Sequence, residues 1–330
     1  MLYSIIVPVY NRPEEVNELL ESLKTQTFKD FEILIIEDGS SYSCEQVVNK
    51  YREDLDIKYY FKKNSGPGTT RNYGAERSNG DYLIILDSDC IIPSHYLETI
   101  NSTLAVEDLD AFGGADSAHI SFSLTQKAIN YSMTSFFTTG GIRGGKKKMD
   151  KFYPRSFNMG IKKSVYLKLG GFSKMRFGED IDFSIRIFEA GYNCKYISGA
   201  WVYHKRRTNL KRFYKQVFNS GIARINLYKR YPNSLKIVHL LPSFFTLYSL
   251  LSIILALFFS PLFLIPLLIY TVLVFIDSTK KNHSFKIGFL SILATYIQLI
   301  GYGCGFILAF WKRCILRKSE FAAFLNSFYK

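Results

Sequence analysis

At 330 residues the chain holds one large or two modest domains, and 42 Lys/Arg against 28 Asp/Glu give it a formal charge of +14. That total hides two opposite parts: residues 1–140 carry 11 basic and 21 acidic side chains, whereas residues 141–330 carry 31 and 7. The basic excess sits mostly at 141–236, ahead of a strongly apolar tail, and there is no zinc-finger spacing or RNP-type motif; this argues for an anionic membrane surface and against a nucleic-acid partner.

The first hundred residues alternate strand and helix. Apolar runs predict strands at 3–9, 31–36, 57–61 and 82–87, with helices at 14–25, 44–52, 69–78 and 94–104. Such alternation points to an α/β class with a mainly parallel, Rossmann-like sheet and helices on both faces. The opening run Ser4-Ile5-Ile6-Val7-Pro8-Val9 is short, lacks a basic lead and is stopped by Asn11-Arg12-Pro13. It reads as a strand rather than a signal peptide, so the N-terminal part is expected to stay in the cytosol. Cys44, Cys90, Cys194, Cys304 and Cys314 are scattered without metal-type spacing and read as reduced thiols.

Two strands end in acids. Leu83-Ile84-Ile85-Leu86 runs into Asp87-Ser88-Asp89, and the strand from 31 runs into Glu37-Asp38-Gly39-Ser40. Ligands of open α/β sheets bind at the carboxyl ends of strands. Two carboxylates so close repel each other, which makes sense if a divalent cation bridges them to an anionic ligand such as a diphosphate. Taken alone, Asp-Ser-Asp is also an ordinary surface turn. Between these strands, Asn64-Ser65-Gly66-Pro67-Gly68-Thr69-Thr70-Arg71-Asn72 is a Gly-rich turn opening a helix, with an arginine placed to reach a phosphate or a base. It lacks the GxGxxG spacing of a dinucleotide site.

The middle, 110–205, mixes short strands and loops. Thr138 to Lys148 combines four glycines with a lysine run and reads as a flexible basic loop, either merely solvated or gripping substrate. Gly178-Glu179-Asp180-Ile181-Asp182-Phe183 opens an amphipathic helix, where acids are ordinary partners of the helix dipole. His204 follows the aromatic run Trp201-Val202-Tyr203; a single histidine there is as readily structural as a ligand. From Asn209 to Arg230 a basic amphipathic helix leads toward the tail.

Taken together these segments resemble glycosyltransferase family 2 sequences of the GT-A fold over about residues 3–225. Ser4 to Arg12 is similar to the family's opening strand, Glu37-Asp38-Gly39-Ser40 to its second nucleotide-contacting strand end, and Gly66-Pro67-Gly68 with Arg71-Asn72 to its Gly-rich helix start. Asp87-Ser88-Asp89 matches its DxD motif, and Gly178-Glu179-Asp180 the ED motif that carries its catalytic base. The resemblance implies an inverting transfer from a nucleotide-diphosphate sugar to an acceptor hydroxyl, in polysaccharide, lipid-linked glycan or glycolipid synthesis. It implies Asp180 as the base and Pro8, Tyr10, Arg12, Asp38, Arg71, Asp87 and Glu179 at the nucleotide sugar. It further implies Mg²⁺ or Mn²⁺ held by Asp89, Asp87 and His204. Processive synthases of the family carry QxxRW; here Gln216-Val217-Phe218-Asn219-Ser220 lacks the Arg-Trp pair, which favours addition of a single sugar. The rival readings are a nucleotidyltransferase and a membrane protein that only binds sugar nucleotides.

The tail begins with 40 residues, Ile237 to Ile276, that contain no Asp, Glu, Lys or Arg, and Ile287 to Trp311 adds 25 more. A crossing needs roughly 20 apolar residues. The first run is therefore expected to form a hairpin turning at Ser260-Pro261, with Lys280, Lys281 and Lys286 returning to the cytoplasm. The second run, with Gln298, Gly301, Gly303 and Gly305, either crosses or lies in the interface; its 25 uncharged residues are ample length, and a third crossing is expected. The expected division is a cytosolic domain at 1–236 and a membrane region at 237–330. The protein is placed at the inner membrane with its catalytic part facing the cytoplasm, membrane lipids around its tail, and a glycan or lipid-linked acceptor.

Overall fold

The computed structural model describes residues 1–119, 121–139 and 152–324; most of the glycine- and lysine-rich loop at 138–148 lies outside them. The chain divides into two compact units, one of residues 1–119 and 151–205, the other of 120–150 and 206–330.

The first unit runs β1 (Tyr3–Val9), α1 (Pro13–Lys24), β2 (Phe31–Asp38), α2 (Glu45–Asn49), β3 (Ile57–Lys62), α3 (Pro67–Arg77), β4 (Tyr82–Leu86), β5 (Cys90–Ile91), α4 (Tyr96–Val106), β6 (Ala111–Gly113) and β7 (Asp116–Ser117). After an excursion through α5 (Leu124–Thr134) and α6 (Phe136–Thr139) of the second unit it resumes with β8 (Asn158–Lys162), α7 (Lys163–Lys168), α8 (Glu179–Glu189), β9 (Cys194–Tyr196) and β10 (Val202–His204). Seven strands form one sheet in the order β3-β2-β1-β4-β8-β6-β9. The four strands expected from the apolar runs are mutually parallel, and β8 enters antiparallel between β4 and β6.

Strand side chains alternate faces, and both faces of this sheet are covered. Ile5, Val7 and Val9 pack with Val16, Leu19, Leu20 and Leu23 of α1 on one side. Ile6, Leu34, Ile36 and Ile85 pack with Phe183 and Ile187 of α8 on the other. Helix α3 lies close on that second face, because a Cβ at Gly74 would come within 2.7 Å of Ile6 and Ile36. A smaller sheet, β5-β10-β7, forms beyond the end of β4; β10 is antiparallel to β5 and parallel to β7.

The second unit continues with α9 (Leu210–Arg230), α10 (Leu241–Phe258), α11 (Ile265–Asn282) and α12 (Phe285–Phe310). Asn209 caps α9 by accepting from the Arg212 N–H at 2.8 Å. Ser260 caps a short 3₁₀ turn, Pro261–Leu264, between α10 and α11. Three helical segments, Leu241–Phe258, Pro261–Asn282 and Phe285–Ile315, are long and apolar enough to cross a membrane.

Candidate active site

The acids after β4 are met by two arginines and a histidine from three directions. Arg71, one turn into α3 and only 3% exposed, reaches Asp87 Oδ1 from Nη2 at 2.6 Å and Glu179 Oε1 from Nη1 at 3.3 Å. Arg12, just before α1, pairs with Asp89 Oδ2, and Asp89 holds the guanidinium well above its ordinary value. His204 comes from β10: its backbone pairs with Cys90 of β5, so its Nε2 lies 3.2 Å from Asp89 Oδ1 and 3.9 Å from Asp87 Oδ2. The Phe157 ring stacks on the imidazole at 4.7 Å.

Helix α8 is brought to this cluster by small residues and by Asn72. Gly68 leaves room for Phe172 and the Glu179 side chain, which a Cβ there would meet at 3.3 and 3.6 Å. Asn72 donates to Phe172 O at 2.9 Å and accepts from Phe172 N at 2.8 Å and Tyr166 OH at 2.6 Å. Gly178 turns into α8 at φ +84°, a conformation that favours glycine. Glu179 and Asp180 then occupy the buried first turn.

Their environments push the two acids apart. Burial raises Glu179 to about 7, helped by the neighbouring Asp180 charge and opposed by Arg71. Burial also acts on Asp180, but the charge and hydrogen bond of Arg155 outweigh it and hold Asp180 below the usual carboxylate range. The contact is 2.5 Å from Arg155 Nε to Asp180 Oδ2.

Asp38 sits in a second, adjoining group. Its carboxylate accepts from Ser65 N and Gly66 N, each at 2.8 Å, and pairs with Lys62. It thereby shapes the Gly-rich turn that opens α3. Pro8 lies in β1 opposite Ile36, and Tyr10 is half-buried just past the strand end. Asn11, at φ +52°, accepts from Ser41 N and Tyr42 N and so joins the β1 and β2 loops.

The structure therefore gathers Arg12, Arg71, Asp87, Asp89, Glu179, Asp180 and His204 into one connected set, with Asp38 beside the turn and Pro8 and Tyr10 on the strand leading in. Lys62, Asn72 and Arg155 belong to the same surroundings and were not singled out from the sequence. Asn72 stood inside a recognised motif, whereas Arg155 carried no local signal.

The donors fit a divalent cation. Asp89, Cys90 and His204 present ligand atoms within 4.8 Å of one another. Cys90 Sγ donates to Phe157 O at 3.5 Å, which leaves carboxylate oxygens and an imidazole nitrogen, a set suited to Mn²⁺ or Mg²⁺. His204 Nδ1 is buried without a hydrogen-bond partner among the described residues, and Nε2 is the nitrogen facing the acids.

Comparison with known proteins agrees with this geometry. Glycosyl transferase family 2 matches residues 4–170, half of the chain. The putative glycosyltransferase EpsH of Bacillus subtilis is 27% identical over 234 residues, covering 67% of this chain and 66% of the relative. An uncharacterized glycosyltransferase of Rickettsia bellii is 39% identical over 95 residues, 29% of this chain but 14% of the relative. The chain thus spans about one seventh of the Rickettsia relatives it matches. Among solved structures, the mannosyltransferase PcManGT of Pyrobaculum calidifontis superposes with a TM-score of 0.65 at 15% identity, over 94% of this chain and 87% of that one. Its sheet and helices are those of the GT-A fold, and the chain belongs to glycosyl transferase family 2.

Proposed function

We propose that the protein transfers one sugar from a nucleotide-diphosphate sugar to an acceptor hydroxyl, with inversion at the anomeric carbon. The observation that carries this reading is the pairing of Arg71 with both Asp87 and Glu179, which ties the acids at the tip of β4 to the first turn of α8. The metal-type donors and the proposed base are thereby linked through one arginine. PcManGT, which shares the fold, is solved with GDP-Man and Mn²⁺.

Asp180 serves as general base. Arg155 keeps it ionised, so it accepts the acceptor's hydroxyl proton as that oxygen attacks. The new bond is acceptor oxygen to anomeric carbon. The bond from that carbon to the diphosphate breaks, and its electron pair leaves with the nucleotide. Asp89, Asp87 and His204 would hold Mg²⁺ or Mn²⁺, which when bound neutralises charge on the leaving diphosphate. Arg71 and Lys62 add fixed positive charge beside it, and Arg12, Asp38, Pro8 and Tyr10 line the nucleotide side. Glu179, raised by burial and by the Asp180 charge, is less readily ionised than Asp180, which lessens the negative charge beside the base.

The absence of an Arg-Trp pair after Gln216 supports addition of a single sugar. The apolar helices support a membrane-bound enzyme at the cytoplasmic face of the inner membrane, acting on a lipid-linked or glycan acceptor of the cell envelope. The test is incubation of the purified protein with UDP- and GDP-sugars and Mn²⁺. Release of nucleoside diphosphate with loss of the sugar from the donor is expected; release of pyrophosphate instead would overturn sugar transfer.

A further inference from the structure

We propose that α12 does not cross the bilayer: it lies alongside the basic helix α9, so both of its ends remain on the catalytic side of the membrane. This rests on the membrane association proposed above.

The register between the two helices carries the inference. A Cβ at Gly301 would come within 2.7 Å of Val217 and 3.1 Å of Tyr214. At Gly305 it would run into the Phe218 carbonyl, and at Gly221 into the backbone of Tyr302 and Phe306. Farther along, Ile222 and Ile225 pack with Phe306 and Ala309, and Arg313 Nε donates to Asn226 Oδ1 at 3.1 Å. Partner numbers rise together, so the helices run parallel and in contact over roughly 20 Å, at about 1.5 Å per residue, with their backbones closest at Gly221 and Gly305. Where α12 goes, α9 goes.

Helix α9 is unfit for hydrocarbon. Lys211, Arg212 and Lys215 stand at its start, Arg224 inside it, and Lys229 and Arg230 at its end. Charges this dense strongly oppose insertion, whereas a basic amphipathic helix lies well at an anionic interface. The burial of α12 agrees: 44% of its most apolar stretch is enclosed by protein, against 17% and 11% for the other two apolar segments. Those two present Phe244, Leu247, Leu250, Leu268 and Ile269 outward and supply the lipid contact.

The segment after α12 folds back on α9. Asn219 accepts from Ala323 N at 2.8 Å and donates to Ala323 O at 2.9 Å. Asn226 donates to Phe321 O at 3.1 Å, and Arg230 pairs with Glu320 at 2.8 Å. Lys312, Arg313, Arg317 and Lys318 are therefore held beside the basic helix. The preference of such clusters for the cytoplasm, which a third crossing would violate, is met. Because α9 follows the catalytic unit directly and does not cross, its side is the catalytic side. The α11–α12 corner must share that side, which requires α10 and α11 to enter and leave the bilayer together.

The test places single cysteines at Ser319 and at Lys280, both exposed, in the full chain with Cys194, Cys304 and Cys314 replaced by serine. Labelling with an impermeant maleimide is compared between intact bacteria and inverted membrane vesicles. Protection of both positions in cells and labelling of both in vesicles is expected. Labelling of one position from each side would overturn the proposal. Labelling of both in intact cells would uphold it and overturn the cytoplasmic orientation. Recovery of the protein in the soluble fraction would overturn the membrane reading and this topology with it. Fluorescent-protein and alkaline-phosphatase fusions to the C-terminus of the unsubstituted chain read the tail's side independently: fluorescence without phosphatase activity is expected, and phosphatase activity in a protein whose position 280 is protected in intact cells would overturn the proposal.

Discussion

Arg155 donates from Nε to Oδ2 of Asp180 at 2.5 Å, fixing the acid that opens α8 from a residue 25 positions earlier. Asp180 also accepts the Ile181 N–H at 2.9 Å, so its carboxylate is held at both oxygens. An ionised, oriented acid in a buried first turn is what a base needs. The pair sets the first expectation.

Removing the guanidinium in Arg155→Ala leaves burial opposed only by the Ile181 N–H and the Arg71 charge, and the Asp180 value should rise. The base must be ionised to act, so the acid limb of the pH–rate profile should move to higher pH. A charged hydrogen bond of about 1.5–3 kcal/mol corresponds to roughly a 10–100-fold loss below the new limb. Arg155→Lys should recover part of it. An unmoved limb, measured as kcat against pH, would show that Arg155 does not act through Asp180.

Catalysis should separate from binding at Asp180 itself. Asparagine is nearly isosteric but takes no proton, and a missing general base commonly costs about 10²–10⁴-fold in rate. Asp180→Asn should bind donor normally by calorimetry and turn over very slowly. Near-normal turnover would move the role to Glu179 or Asp182.

Asp89→Ala should remove a cation ligand and free Arg12 from its partner. Donor binding that depends on Mn²⁺ should fall sharply, while circular dichroism stays unchanged because the site lies beyond the end of β4. Metal-dependent binding that persists at the original affinity would rule out Asp89 as a ligand.

Arg71 lies between two acids at 3% exposure. Breaking a buried pair from one side commonly costs about 3–5 kcal/mol. Arg71→Ala should fall at the lower end, because Glu179 can take up a proton. Combining it with Glu179→Gln should cost less than the sum of the two single changes, as expected for groups in contact. Strict additivity in denaturation midpoints would refute the coupling.

Stability should also report Glu179 directly. Its folded value, about 7, lies above the ordinary value of 4.5, so the folded state binds the proton more tightly than the unfolded chain. The contribution is favourable at low pH and declines as pH rises from about 4.5 to about 7, then levels off. In Glu179→Gln that decline should be absent from melting temperatures measured across the same range. Retention of the full slope would assign it to another group.

The sequence alone determined the alternation of β1 to β4 with α1 to α4, because apolar runs and Gly or Pro punctuation are local signals read over a few residues. It also determined the motifs that name the family and the uncharged length of the tail, since hydrocarbon thickness sets that length whatever the fold. Tertiary structure decided which distant side chains meet. His204 reaches Asp89 only because β10 pairs with β5, two- and three-residue strands too short to leave a periodic signal. Arg155 reaches Asp180 only because the segment before β8 passes the start of α8. The course of α12 was open for the same reason. Its composition suits both a crossing and an interfacial helix, and what distinguishes them is the partner along its flank, where Gly221, Gly301 and Gly305 let a charged helix lie against it. Composition measures how a helix would meet lipid; it carries no record of which neighbour takes the lipid's place.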